Sequence, residues 1–108
     1  MKVKIKGKVL DNVLVAKAGV AMPPRYTCRV GTGVQVEVPK THCLCMAIVP
    51  ELSKRGLVAT NAPGRFTSGE VYVDALNAGR EIVSIKDGDP LVQVWVEKIE
   101  KFSWEEIE

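Results

Sequence analysis

Aromatic residues are scarce: two Phe, two Tyr and two Trp among 108 residues. No apolar run approaches the roughly 20 residues that span a bilayer, so no membrane helix is expected. The N-terminus alternates charged with apolar residues and has no signal-peptide pattern. Charge of either sign is not in excess. Fifteen basic against thirteen acidic side chains leave a net charge of +2, which argues against a nucleic-acid partner. There is one His, and the three Cys are an odd number with no secretory context, so a reduced, cytoplasmic protein is expected. His42, Cys43 and Cys45 cluster, with Cys28 distant. On a strand Cys43 and Cys45 share one face and His42 takes the other. The paired spacing of zinc sites is missing, so no metal is expected there. The cysteines read instead as small buried hydrophobes. Cysteine catalysis would lack a group to orient its only base, His42.

Short apolar runs rich in Val, broken by Gly and Pro, are what remains. With 46% hydrophobic and 26% charged residues the composition is that of an ordinary globular chain, and it favours strands over helices. One domain over residues 1–108 is expected, with about eight to ten short strands in a jelly-roll or barrel arrangement. Lys2 to Val9 alternates strictly, setting four lysines against Val3, Ile5 and Val9 as an edge strand would. Val13 to Ala16 is a second strand. Ala21-Met22-Pro23-Pro24 reads as a loop or an edge crossing, since two prolines cannot donate to a ladder. Val34, Val36 and Val38 face the core while Gln35 and Glu37 face out. Gly31-x-Gly33 reads as a bulge or turn, because no helix pattern follows it. Thr41 to Val49 is a buried strand. Pro50 to Arg55 is the one helix, with Pro at its start and Gly56 at its end.

The stretch from Asn61 to Gln93 organises the rest. It opens on Asn61-Ala62-Pro63-Gly64, a corner that Pro and Gly impose. Gly69-Glu70 leads into Val71 to Asn77. Lys86-Asp87-Gly88-Asp89 is a tight turn, and Leu91 to Val96 is the last run. In order and spacing these parts resemble the dUTPase family, which includes dCTP deaminases. The match runs back more weakly through Val30 to Pro39. The resemblance implies an all-β dUTPase-like fold with one short helix.

It also implies where chemistry should sit, and there the chain departs from the pattern. Cleaving a nucleoside triphosphate needs a carboxylate for water, cations for phosphate and a pocket for the base. The family's early Gly-x-Asp-Leu motif has no counterpart, since Val13 to Met22 contains no Asp. Glu51 stands near the place of the family's phosphate-binding Arg, and an acid there repels phosphate. The hairpin Gly64 to Gly69 is short and lacks the family's Asp and Tyr. An acidic tail, Phe102 to Glu106, replaces the glycine-rich closing motif. No catalytic residue is therefore assigned, and the expected function is a non-catalytic binding or regulatory module. The alternative is a minimal dUTP diphosphatase or dCTP deaminase with relocated residues, and only then would Mg²⁺ be implied. Ligand contacts are expected at Asn61, Gly64, Arg65, Phe66 and Gln93, for a nucleotide held near the 61–68 hairpin. Arg65 could fork onto phosphate and Phe66 stack on a base. So compact a variant fits a viral or mobile-element origin. The resemblance implies a homotrimer, and Trp95, Phe102, Trp104 and Ile107 are the apolar anchors available to it.

Overall fold

The computed structural model describes residues 1–108 and shows nine strands and one short helix. The strands are β1 (Lys4–Lys6), β2 (Val13–Val15), β3 (Val20–Met22), β4 (Thr27–Glu37), β5 (His42–Ile48), β6 (Leu57–Ala59), β7 (Ser68–Asn77), β8 (Val83–Ile85) and β9 (Pro90–Lys98). Helix α1 (Pro50–Lys54) follows β5. Every strand pairing is antiparallel. One sheet has the order β1-β4-β7-β6, a second β2-β9-β5, and a third β3-β8. The all-β expectation with a single helix at Pro50 holds. No helix is long and apolar enough to cross a membrane.

Alternation fixes the register. On β7, Val71, Val73 and Ala75 point into the core while Tyr72 and Asp74 point outward. Burying a Val side chain stabilises by about 1.5–3 kcal/mol. The entire spread of strand propensities is only about 1 kcal/mol. Burial, not propensity, therefore holds β7 against a one-residue slip. Val34, Val36 and Val38 are buried as the alternation requires. Between Gly31 and Gln35 the β4–β7 register shifts, the bulge that Gly31-x-Gly33 signals. Thr32 fills it: its hydroxyl donates to the Val71 carbonyl at 2.6 Å and accepts the Val34 N–H at 3.1 Å.

Two readings need correction. Val20–Met22 is a strand paired with β8, where the sequence suggested a loop at Ala21-Met22. Its three residues are too few to show a period. Ile5 is 54% exposed rather than turned into the core. β1 is only three residues long and lies at the sheet edge, so nothing in the chain covers its second face.

Candidate functional site

The 61–68 corner joins β6 and β7, neighbours in one sheet, and bridges to β5 of the second sheet on the way. Thr60 and Asn61 first prolong the β6–β7 ladder. The Thr60 N–H donates to the Asp74 carbonyl at 2.8 Å. The Asn61 side chain then acts like a strand residue: Nδ2 donates to the Tyr72 carbonyl at 3.1 Å, and Oδ1 accepts the Asp74 N–H at 2.9 Å. Gly64 follows at φ +80°, and the space a Cβ would take is filled by the Phe66 ring. Arg65 is also left-handed, at φ +46°, with its side chain exposed. Phe66 exchanges both backbone hydrogen bonds with Leu44 of β5, at 2.8 and 2.7 Å. Two residues later, Ser68 pairs with Glu37 of β4.

Asn61, Gly64, Arg65 and Phe66 are thus brought together. Gln93 is exposed on β9, opposite Ala47 of β5. Since β5 lies between the hairpin and β9, Gln93 stands two strand spacings away, roughly 10 Å. Beside the hairpin lies a stacked array. The Phe66 ring meets Tyr72 edge to face at 5.5 Å, and the Arg29 guanidinium sits 4.0 Å above the Tyr72 ring. Arg29 in turn forks onto Asp74, with Nε 2.8 Å from Oδ1 and the second nitrogen 3.3 Å from Oδ2. The hydrogen bond that Arg29 donates to Asp74, partly offset by desolvation, raises the Arg29 pKa above its ordinary value. Asp74 is committed to this pair and is not a free base.

A second region lies just beyond β5. The Val49 N–H donates to the Leu91 carbonyl at 3.0 Å, tying the start of α1 to β9. Between them opens a cleft of about 540 Å³ lined by Glu51, Lys54, Arg55 and Asp89 together with Val49, Pro50, Leu52 and Pro90. Glu51, Lys54 and Arg55 recur at the i, i+3, i+4 spacing that places side chains on one face of a helical turn. Asp89 Oδ2 accepts the Lys86 N–H at 2.8 Å, which fixes the carboxylate and leaves Oδ1 free of protein partners. None of these four groups is in an ion pair; the molecule's one ion pair is Arg29–Asp74. Two carboxylates and two cations therefore face a cleft of nucleotide dimensions. The hairpin is near it: Pro63 accepts from Met46, three residues before Val49, or about 10 Å along β5.

Sequence reasoning passed over this cleft. Glu51 counted as a departure from a pattern and Asp89 as a turn residue. Their meeting depends on the Val49–Leu91 contact, which joins segments some forty residues apart, and no local pattern signals it. Mg²⁺ is commonly held by one or two carboxylates together with substrate phosphates. Glu51 and Asp89 supply that donor chemistry.

The dUTPase family model matches residues 12–108. A deoxyuridine 5'-triphosphate nucleotidohydrolase of Anaplasma marginale is 30% identical over 106 residues, covering 94% of this chain and 72% of its own. An enzyme of the same name from Desulfotalea psychrophila is 30% identical over 88 residues, and the match covers 79% of this chain and 54% of that protein. Among solved structures, native EIAV dUTPase superposes with a TM-score of 0.78 at 18% identity, covering 99% of both chains. A variant dUTPase of Staphylococcus aureus phage phi11, described as coordinating a structural Mg(II) ion, gives 0.79 at 14% identity, covering 100% of this chain and 97% of that one. These relatives overturn the expectation of a non-catalytic binding or regulatory module, since both sequence relatives bear the name of a nucleotidohydrolase. That expectation rested on motif residues missing in line. The fold instead gathers carboxylates and cations from separate segments.

Proposed function

This chain belongs to the dUTPase family, and we propose that it is a working hydrolase of that family, cleaving dUTP to dUMP and pyrophosphate. The observation that carries the reading is the cleft beside α1, where Glu51, Asp89, Lys54 and Arg55 converge. Lys54 and Arg55 neutralise the phosphates, taking over from the Arg that Glu51 displaces. Arg55 offers a planar fork and Lys54 a point charge. Asp89, anchored through Lys86, holds its position while charge develops. Glu51, exposed and unpaired, positions the attacking water and takes its proton. Glu51 and Asp89 are the residues that would hold Mg²⁺, which would supply Lewis-acid polarisation of the phosphoryl groups. The 61–68 hairpin holds the base, with Asn61 and Gly64 setting its shape and Arg65 and Phe66 touching the ligand. Gln93 lies on its far side.

In this reading residues 1–108 act as one dUTPase-like β domain, and the assembly is a homotrimer. Exposed apolar groups support association: Trp95 is 40% exposed, and the tail carries Phe102, Trp104 and Ile107 in solvent. A groove of about 220 Å³ between β1 and β9, walled by Val3, Ile5, Val9, Leu14, Val94 and Trp95, is available to receive the apolar groups of a neighbour's tail. The lysine row beside that groove complements the acidic tail.

The test is pyrophosphate release from dUTP with Mg²⁺, with ammonia release from dCTP followed in parallel. Turnover of dUTP well above background is expected. Glu51→Gln should lower kcat by about 10²-fold or more, the usual contribution of a general base. Absence of dUTP turnover by the intact chain would overturn the reading.

A further inference from the structure

A second cleft, of about 440 Å³, opens at the other end of α1. It is formed where the turn after the helix meets the turn after β7. The meeting is unusually close. A Cβ on Gly56 would fall 2.7 Å from the Gly79 backbone, and Gly56 has φ +96°. A Cβ on Gly79 would fall 2.8 Å from the Arg55 carbonyl. Only two glycines allow this approach. The Ala78 N–H donates to the Gly56 carbonyl at 2.9 Å and locks the turns together.

Asn77 secures the same turn from beneath. It is fully buried, and both ends of its amide are used. Nδ2 donates to the Met22 and Glu81 carbonyls at 2.8 Å each, and Oδ1 accepts the Gly79 N–H at 2.9 Å. A buried amide left unpaired would cost about 1–3 kcal/mol, so the 77–81 turn has little freedom to open.

The rigid junction presents Lys54, Arg55 and Arg80 to one cleft. Glu81 also lines it, yet none of the three cations has a carboxylate within 4.0 Å. The C-terminal end of α1 accounts for Lys54 and Arg55, because cations are favoured there. It does not account for Arg80, which comes from a different turn. Three cations against the single carboxylate of Glu81 leave the cleft with an excess of positive charge, which an entering anion offsets. Two guanidinium forks match two phosphoryl groups better than one, since each fork can engage one phosphoryl bidentately.

We propose that this cleft is an anion site for a polyphosphate, distinct from the cleft of Glu51 and Asp89 that shares Lys54 and Arg55 with it. Pyrophosphate is the smallest ligand with the required chemistry. Because the two clefts share cations, occupancy of one weakens anion binding in the other. Product or excess substrate phosphate would thereby restrain turnover.

Isothermal titration of the intact chain with sodium pyrophosphate, without Mg²⁺ or dUTP, tests the site independently of any activity. Binding is expected, with affinity reduced about tenfold in Arg80→Ala, the loss of one charge-assisted fork. Arg80→Lys should restore part of it, because charge returns without the fork. dUMP, with one phosphoryl group, should bind more weakly than pyrophosphate. Arg80 is exposed, and circular dichroism checks that its variants fold. Two results would overturn the proposal: no pyrophosphate binding, or an affinity that Arg80→Ala leaves unchanged.

Discussion

At the residue scale, Cys43 and Cys45 show how much a period of two can tell. Alternation places both thiols on one face of β5, and their sulfurs lie 3.8 Å apart. Burial of both was also legible, because the run from Thr41 to Val49 is almost wholly apolar. What no pattern showed is that this face lies outside the main hydrophobic cluster, opposite Trp95 and Glu97 of β9. Burial first, and then the neighbouring Cys43 thiol, push the Cys45 pKa up to about 11, from an ordinary 9.0. The thiol is neutral in the folded chain where it would already ionise in the unfolded one. Between pH 9 and about 11 the unfolded state therefore binds fewer protons, and stability falls as pH rises. Tyr and Lys side chains titrate in the same range. The measurement is thus a difference: the denaturant midpoint of the wild type should fall more steeply through that window than that of Cys45→Ala. Parallel slopes would show that Cys45 ionises alike in both states.

At the scale of elements, the corner at Asn61 was the most legible feature and the clefts were the least. Pro63 and Gly64 announce a turn by their own backbone limits, and Val34 to Val38 announces a strand by alternation. The helix was bounded by Pro50 and Gly56, one at each end. By contrast β3 has three residues, too few for any period, and the cleft residues Glu51, Asp89 and Arg80 come from three different turns or elements. Their relation exists only after β5 has paired with β9 and β6 with β7. The corner also gives a sharp stability test. Gly64 combines a left-handed φ with a ring packed where its Cβ would stand. Gly64→Ala must strain the backbone and displace Phe66, which bridges to β5. A loss of about 1 kcal/mol or more is expected from the backbone alone. Chemical denaturation measures it, and a neutral outcome would show that the corner relaxes freely.

The whole molecule is less compact than its length allows. Its radius of gyration is 15.6 Å, whereas about 13 Å is typical of a 100-residue domain. The excess has a visible source. The last anchored residue of the tail is Ile99, whose N–H donates to the Thr41 carbonyl at 2.8 Å. Beyond it Phe102, Trp104 and Ile107 are 77%, 89% and 95% exposed. Phe102 and Trp104 meet edge to face at 5.3 Å. Leaving three large apolar side chains in water forgoes about 1.5–3 kcal/mol apiece relative to burial. A neighbouring subunit in the proposed trimer can bury them, in the apolar groove between β1 and β9. Lys2, Lys4, Lys6 and Lys8 would then meet Glu100, Glu105, Glu106 and Glu108 of the incoming tail. Exposed ion pairs contribute only about 0–1 kcal/mol each, so they set register while the aromatic anchors supply affinity. Deleting residues 102–108 should accordingly dissociate the assembly more than raising salt does. Light scattering at micromolar concentration reads both effects directly. The intact chain is expected at three times its 11.8 kDa mass. A mass of one chain, or a trimer that survives the deletion but falls apart in salt, would show that the tail is not what holds the subunits together.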